Sequence, residues 1–167
     1  MPARRTASKS LPAEPGSVVA ATAAAVALLA VRDYARGELL TKLMSRGFVQ
    51  NAAQGALEAL TAQGALNEAR YAENYVAWHA GRGQGPLRIA AELHRHGVPD
   101  ALIEAALQTG ADWGVLARKI CRAKFGPEPP ASWRDKARQM RFLQYRGFSA
   151  DHIRVATGDD PDWAEEP

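Results

Sequence analysis

An internal repeat of 50 residues constrains the fold of this chain more than any other feature. The tripeptides Arg46-Gly47-Phe48, His96-Gly97-Val98 and Arg146-Gly147-Phe148 recur at that interval. The flanking residues repeat as well, because a leucine stands four residues before each glycine. Self-similarity at a fixed period indicates an array of similar supersecondary units, each packed on its neighbours.

The repeated glycine predicts how one helix in each unit ends. A Schellman motif places a left-handed residue, usually glycine, at C′ and packs the C″ side chain on the C3 side chain. With Gly47 at C′, those two positions are Phe48 and Leu43, which are both apolar. The corresponding residues of the other copies are Leu93, Gly97 and Val98, and Leu143, Gly147 and Phe148. The three glycines are therefore interpreted as structural helix C-caps.

Composition favours helix throughout. The chain has 34 Ala against 9 Val and 4 Ile, and alanine loses no side-chain entropy in a helix. We expect an all-α fold of nine helices in three tandem three-helix repeats, forming an elongated array. The helices are predicted near 18–34, 36–46, 50–63, 67–81, 86–96, 99–108, 112–125, 133–146 and 149–157. The repeats are predicted at 17–64, 65–110 and 111–157, between a disordered basic arm at 1–16 and a disordered acidic tail at 158–167.

Charge is distributed unevenly along the chain, although the net charge is only +3. Residues 115–155 hold ten Lys and Arg against three acids, whereas residues 158–167 hold five acids and no base. Such a basic region indicates contact with a polyanion or an acidic protein surface, and a merely solvated charged face is the alternative.

No arrangement of residues points to catalysis. Gly81, Gly83 and Gly85 lie between two predicted helices, so a linker is expected there rather than a phosphate-binding loop. The single cysteine, Cys121, excludes an internal disulfide. Its cationic neighbours could lower its pKa, but no His–Asn/Asp signature accompanies it, so a structural thiol is expected. The chain is predicted to be a non-enzyme with no catalytic residue, metal or cofactor.

The eighth predicted helix carries the clearest functional signal. A helical wheel places Trp133, Ala137, Met140 and Gln144 on one apolar face, with Leu143 at its edge. An adjacent stripe holds Arg134, Arg138, Arg141 and Tyr145. Guanidinium groups suit phosphate or carboxylate, and tyrosine can stack on bases. The alternative is an exposed helix that is basic for solubility. Together with its neighbours in sequence, the stripe gives the candidate binding residues Arg118, Lys119, Arg122, Lys124, Arg134, Lys136, Arg138, Arg141, Tyr145 and Arg146.

The apolar run from Val18 to Val31 superficially resembles a secretory signal. It is mostly alanine, and at 14 residues it is too short to span a bilayer. We interpret it as a buried helix and expect a cytoplasmic protein without a membrane partner.

Four stretches, in order, resemble the signatures of the RecX family, whose members regulate the RecA recombinase. They are RGEL…KL…RGF at 36–48, GALNEARYA at 64–72, GQGPLRIAAEL at 83–93 and RFLQYRGFS at 141–149. Each is modest alone, but four in order are specific. One departure is Ala35, which stands where the family usually has serine and removes an N-cap worth roughly 1 kcal/mol.

The resemblance implies a non-enzymatic monomer that binds the RecA–single-stranded-DNA filament. It implies inhibition of filament growth and of the recombinase and coprotease activities, and so regulation of DNA repair and the SOS response. The alternative is a stand-alone nucleic-acid-binding helical repeat protein that uses the basic face of the third repeat. Secondary candidates for the binding surface are Arg36, Lys42, Arg46, Arg88 and Arg95.

Overall fold

The computed structural model describes residues 12–158, and in that range the chain forms nine α-helices and no strand. The helices are α1 (Val18–Leu29), α2 (Arg36–Ser45), α3 (Gln50–Ala62), α4 (Glu68–Gly81), α5 (Pro86–Arg95), α6 (Asp100–Gly110), α7 (Trp113–Phe125), α8 (Trp133–Tyr145) and α9 (Ala150–Thr157). The all-helical prediction is confirmed. Most of the predicted basic arm and of the predicted acidic tail lies outside the described residues. No helix in the described part of the chain is long and apolar enough to cross a membrane.

Residues 12–16 belong to the structure although the sequence assigns them to the arm. The Ser17 amide donates to the Glu14 carbonyl at 3.1 Å, which forms a turn before α1. The Pro15 carbonyl accepts a hydrogen bond from the Val49 amide at 3.0 Å. Val49 is the N-cap residue of α3, so this bond ties the start of the described chain to the third helix.

The first helix ends at Leu29, five residues before its predicted end. Tertiary contacts of the next residues explain the difference. Tyr34 is buried, and the Arg32 guanidinium lies 3.7 Å from the centre of its ring. The Asp33 carboxylate accepts a hydrogen bond from Arg70 at 2.8 Å. Continuing α1 as a helix would forfeit these contacts, and they outweigh the local helical pattern.

The repeated glycines adopt the backbone that the C′ position of a Schellman motif requires. Gly47, Gly97 and Gly147 have φ of 98°, 78° and 87°. At the end of α2, the Phe48 amide donates to the Leu43 carbonyl at 3.3 Å, and Gly47 donates to Met44 at 2.9 Å. At the end of α8, Phe148 donates to Leu143 at 3.1 Å, and Gly147 donates to Gln144 at 2.9 Å. Both helices therefore end with the paired hydrogen bonds of the motif.

Serine side chains cap α8 and α9, whereas α2 has no cap from its own N-cap residue, as its sequence predicts. The Ser132 hydroxyl accepts from the Asp135 amide at 3.2 Å, and Ser149 forms a capping box with His152. Ala35 provides no such bond at the start of α2. Instead, the carboxylate of Glu68, in the first turn of α4, accepts from the Arg36 amide at 3.1 Å. A distant carboxylate thus replaces the missing serine, and its charge suits a helix N-terminus.

The described chain divides into two compact units. The first comprises residues up to Tyr71 together with His96–Val98, and its core includes Leu39, Leu43, Leu57 and Leu60. The second comprises Ala72–Arg95 and the residues from Pro99 onward. In the second unit, α7 packs on α9, and α8 packs on both.

Within the second unit, the turn after α8 packs against the start of α5. The Gly85 amide donates to the Arg146 carbonyl at 2.7 Å, and the Leu87 amide donates to the Gly147 carbonyl at 3.0 Å. A Cβ on Gly85 would overlap the Gly147 carbonyl. The glycine run that the sequence assigns to a linker therefore also forms a close backbone contact. Because a helix C-terminus meets a helix N-terminus there, their dipoles are aligned favourably.

Candidate nucleic-acid interface

The basic stripe of α8 is exposed. Arg134, Arg138, Arg141 and Tyr145 all lie on the surface, and the Tyr145 residue is 78% exposed. On the opposite side, Leu143 is completely buried and Gln139 is 7% exposed. On a helical wheel the centre of the stripe lies about 150° from the centre of this buried pair. The helix therefore presents its arginines directly away from the core.

The prediction that the apolar face of α8 centres on Trp133 was wrong. The sequence places Trp133 there, yet Trp133 is 58% exposed, and the buried face centres on Gln139 and Leu143. Gln139 tolerates burial because its Oε1 lies 3.5 Å from the Cys121 Sγ, which acts as a hydrogen-bond donor. Trp133 instead borders an open cavity of about 300 Å³ with Met140.

The stripe arginines differ in what holds them. The side chains of Arg134 and Arg141 make no hydrogen bond or ion pair with the residues that the structure describes. The Arg138 guanidinium lies 5.1 Å from the ring centre of Phe125, which itself packs edge-on against Phe142. This contact restrains Arg138 and leaves its N–H donors available. The stripe thus offers three guanidinium groups that no carboxylate of the described chain neutralises.

Three other candidates of the third repeat make structural contacts. Arg118 donates to the Val155 carbonyl at 3.1 Å, and the Lys136 ammonium donates to the Gly158 carbonyl at 3.0 Å. Both cations therefore satisfy carbonyls at the C-terminal end of α9, where positive charge is favourable. Arg146 donates to the Arg82 carbonyl at 3.2 Å, beside the contact between α5 and the α8 turn. Sequence reasoning missed these contacts because the acceptors are backbone carbonyls brought close only by folding.

The remaining candidates of the third repeat lie on α7. On α7, the side chains of Lys119, Arg122 and Lys124 are exposed and have no hydrogen bond or ion pair within the described chain. Arg122 lines a cleft of about 260 Å³ together with Arg118.

The secondary candidates are divided between the two units. In the first, the Arg36 side chain donates to the Thr61 hydroxyl at 3.2 Å, whereas the Lys42 and Arg46 side chains have no bond to a described residue. In the second, Arg88 and Arg95 both lie near the Glu92 carboxylate, at 3.3 and 3.9 Å.

Cys121 is buried and is not activated. Burial raises the pKa of the Cys121 thiol. The cations that neighbour it in sequence do not offset this effect, because the pKa is raised by burial although Arg118 and Arg122 line the same cleft as Cys121. A thiol with a raised pKa is protonated at neutral pH and is a poor nucleophile.

Over the described residues, these observations define an all-helical protein of three-helix domains, whose last domain carries a basic stripe that no described carboxylate neutralises. Residues 67–107 match the family model described as the second three-helix domain of RecX, and residues 115–156 match that of the third. The regulatory protein RecX of Halorhodospira halophila is 45% identical over 134 residues, which cover 80% of this chain and 83% of that protein. That of Pseudomonas fluorescens strain Pf-5 is 41% identical over 144 residues, covering 85% and 93%. The chain belongs to the RecX family.

Solved structures show the same fold. The crystal structure of RecX from Lactobacillus salivarius superposes with a TM-score of 0.70 at 24% identity, covering 83% of this chain and 93% of that one. A second crystal structure, of a regulatory protein RecX, gives a TM-score of 0.68 at 19% identity, covering 83% and 72%. The two relatives both bear the name regulatory protein.

Proposed function

We propose that this protein binds the filament that RecA forms on single-stranded DNA and inhibits its growth, and with it the recombinase and coprotease activities. It would act as a monomer in the cytoplasm, without a catalytic step, and so regulate DNA repair and the SOS response. Membership of the RecX family supports the partner. The observation that carries the proposal is the exposed stripe of Arg134, Arg138 and Arg141, which has no counter-charge among the residues that the structure describes.

The stripe suits a surface made of phosphates or carboxylates. A guanidinium group offers a planar fork of N–H donors that matches both anions and is weakly hydrated. Tyr145 lies on the same side of α8 and adds an exposed aromatic ring. Arg118, Lys136 and Arg146 contribute positive potential nearby, while their bonds to backbone carbonyls keep them in place.

The test is a filament assay with the cognate recombinase and a variant in which Arg134, Arg138 and Arg141 are alanine. The fold should survive, because the three side chains are exposed and alanine is a better helix former. Inhibition of filament growth should fall. A matched variant with Lys119, Arg122 and Lys124 changed to alanine removes the same charge from exposed sites on α7. If both variants lose inhibition equally, the assignment of the binding surface to α8 fails, since α7 is either part of that surface or the effect comes from net charge.

Salt dependence separates the two anions. If the stripe contacts phosphates, each lost contact should reduce the slope of log K against log salt by roughly 0.7 on naked single strands. If it contacts recombinase carboxylates, the loss should appear only with recombinase present. A wild-type protein that binds DNA but leaves filaments unaffected would instead support the stand-alone nucleic-acid-binding protein.

A further inference from the structure

A ladder of aromatic and cationic side chains runs along α4 at the spacing of one helix face. It consists of Tyr75, Trp78, His79 and Arg82, at positions i, i+3, i+4 and i+7. The rings of Tyr75 and His79 are stacked with centroids 4.1 Å apart. Trp78 meets His79 edge-on at 5.0 Å, and the Arg82 guanidinium lies 3.6 Å from the centre of the Trp78 ring system.

Internal hydrogen bonds hold Tyr75 and His79 in place, whereas Trp78 is exposed to solvent. The His79 Nδ1 lies 2.7 Å from the Gln84 Oε1. The Tyr75 hydroxyl donates to the Glu92 carboxylate at 2.8 Å. Trp78 itself is 55% exposed, whereas Val76 and Ala80 on the other side of α4 are buried. The indole is therefore a large apolar surface that the core does not use and that its neighbours hold in one orientation.

The charge around the ladder is positive at the surface. Arg82 is exposed, and the Arg88 side chain is 50% exposed. The carboxylate nearby, Glu92, has a side chain only 15% exposed. Burial raises the pKa of Glu92, but hydrogen bonds from Tyr75 and Arg88 outweigh that effect and the pKa is lowered. The negative charge of Glu92 is thus balanced by internal partners, and a ligand at this surface would contact Arg82 and Arg88.

An exposed indole beside two exposed guanidinium groups suits a ligand that combines a flat π-surface with negative charge. An unpaired nucleotide has both, because its base can stack on the ring while its phosphate pairs with arginine. Bases in a duplex are stacked on one another and cannot reach the indole. We propose that Trp78 is a stacking site for one unpaired base of single-stranded DNA, with Arg82 turning from the indole face to the adjacent phosphate.

This inference rests on the proposed contact with single-stranded DNA, but its test uses no recombinase. A 15-nucleotide oligo(dT) is titrated against the protein while tryptophan fluorescence is recorded. Stacking should quench the fluorescence of Trp78. The quenching should therefore be lost in Trp78→Phe. The matched control is Trp133→Phe, because Trp133 is exposed to a similar degree, 58%, on α8. That variant should keep the quenching.

Affinity provides the second readout. Trp78→Ala should weaken binding of oligo(dT) by about 5- to 150-fold, the range for one stacked base worth about 1–3 kcal/mol. Binding of an abasic strand of equal length, or of a duplex, should not change. Trp78→Tyr should restore most of the loss, because a smaller ring can still stack. Helicity and melting temperature should match wild type in each variant.

Two results would overturn the inference. Equal affinity of Trp78→Ala and wild type for oligo(dT) would show that no base stacks there. An equal loss on oligo(dT) and on the abasic strand would show that Trp78 acts on phosphate contacts or on the fold. The stripe variant of α8 is measured in parallel, so that failure of the proposed function is seen separately.

Discussion

The turns at Gly97 and Gly147 share one sequence signal and have different surroundings. Both glycines have positive φ, 78° and 87°, and both follow a helix with a buried leucine four residues earlier. A Cβ on Gly97 would find no described atom within 4 Å, whereas a Cβ on Gly147 would overlap the Arg88 side chain and lie 2.7 Å from its amide nitrogen. The 50-residue repeat thus reproduces the position at which the helix ends, but not the tertiary contact that the following turn makes.

The partners of the two turns show the same difference. Gly85 faces the Gly147 turn so closely that a Cβ would overlap backbone. Fifty residues earlier the chain has Ala35, which is fully buried and carries a Cβ without difficulty. In the first unit, a Cβ on Gly37 would lie 3.4 Å from the His96 carbonyl, an ordinary contact. The contact in the first unit is therefore looser than its counterpart in the second.

The largest expected effect is that of Gly147→Ala. A left-handed alanine costs about 1–2 kcal/mol, and forcing a methyl group into a packed site adds about 1–3 kcal/mol. We expect the free energy of unfolding to fall by roughly 2–5 kcal/mol in urea denaturation. Gly97→Ala is the matched control, and its free energy of unfolding should fall only by the cost of the left-handed alanine, about 1–2 kcal/mol. Equal losses in the two variants would show that the contact with Arg88 relaxes at no cost.

Gly85→Ala should have the next largest effect. Gly85 does not have positive φ, so the loss comes only from overlap with the Gly147 carbonyl. About 1–3 kcal/mol is expected from overpacking of this kind. Gly81→Ala, in the same glycine run, meets no described atom within 4 Å and should be neutral or slightly stabilising. A neutral Gly85→Ala would mean that the start of α5 can move away from the α8 turn.

These glycines show what the sequence could predict. The helix ends at Gly47, Gly97 and Gly147 follow from local backbone chemistry, because a C′ glycine and its apolar neighbours act within one turn. The contact between Gly85 and Gly147 joins residues 62 positions apart, and no local rule distinguishes that copy from Ala35. The pattern Gly-x-Gly-x-Gly was compatible with a linker, and only folding shows that its backbone is packed.

The candidate site was predictable to a similar depth. A helical wheel is enough to predict that Arg134, Arg138 and Arg141 lie together on one side of α8, because successive residues are separated by about 100°. It does not decide which neighbouring face is buried when a glutamine finds a partner in the core and a tryptophan lies in the first turn. Nor does it show that Arg118 and Lys136 satisfy carbonyls at the end of α9.

Arg146→Ala tests whether a candidate binding residue serves the α8 turn instead. Its hydrogen bond to the Arg82 carbonyl has no counterpart in sequence at the Gly97 turn, where histidine precedes the glycine. Loss of one such bond should lower the free energy of unfolding by about 0.5–1.5 kcal/mol. Arg141→Ala is the control, since that side chain has no described partner, and it should leave stability unchanged. The opposite order, with Arg146→Ala neutral and affinity reduced, would return Arg146 to the binding surface.

The smallest effect is expected from the acidic segment that follows α9. Removal of residues 159–167 deletes five negative charges from the chain that carries the α8 stripe. By long-range electrostatics it should strengthen binding to single-stranded DNA, and the gain should shrink as salt shortens the Debye length from about 30 Å at 0.01 M to about 8 Å at 0.15 M. The gain should also shrink when Arg134, Arg138 and Arg141 are alanine, because the carboxylates then have fewer cations to oppose. Fluorescence anisotropy of a labelled oligonucleotide at several salt concentrations measures both dependences. Equal affinity of the trimmed and full chains at low salt would show that the acidic segment does not compete for the stripe.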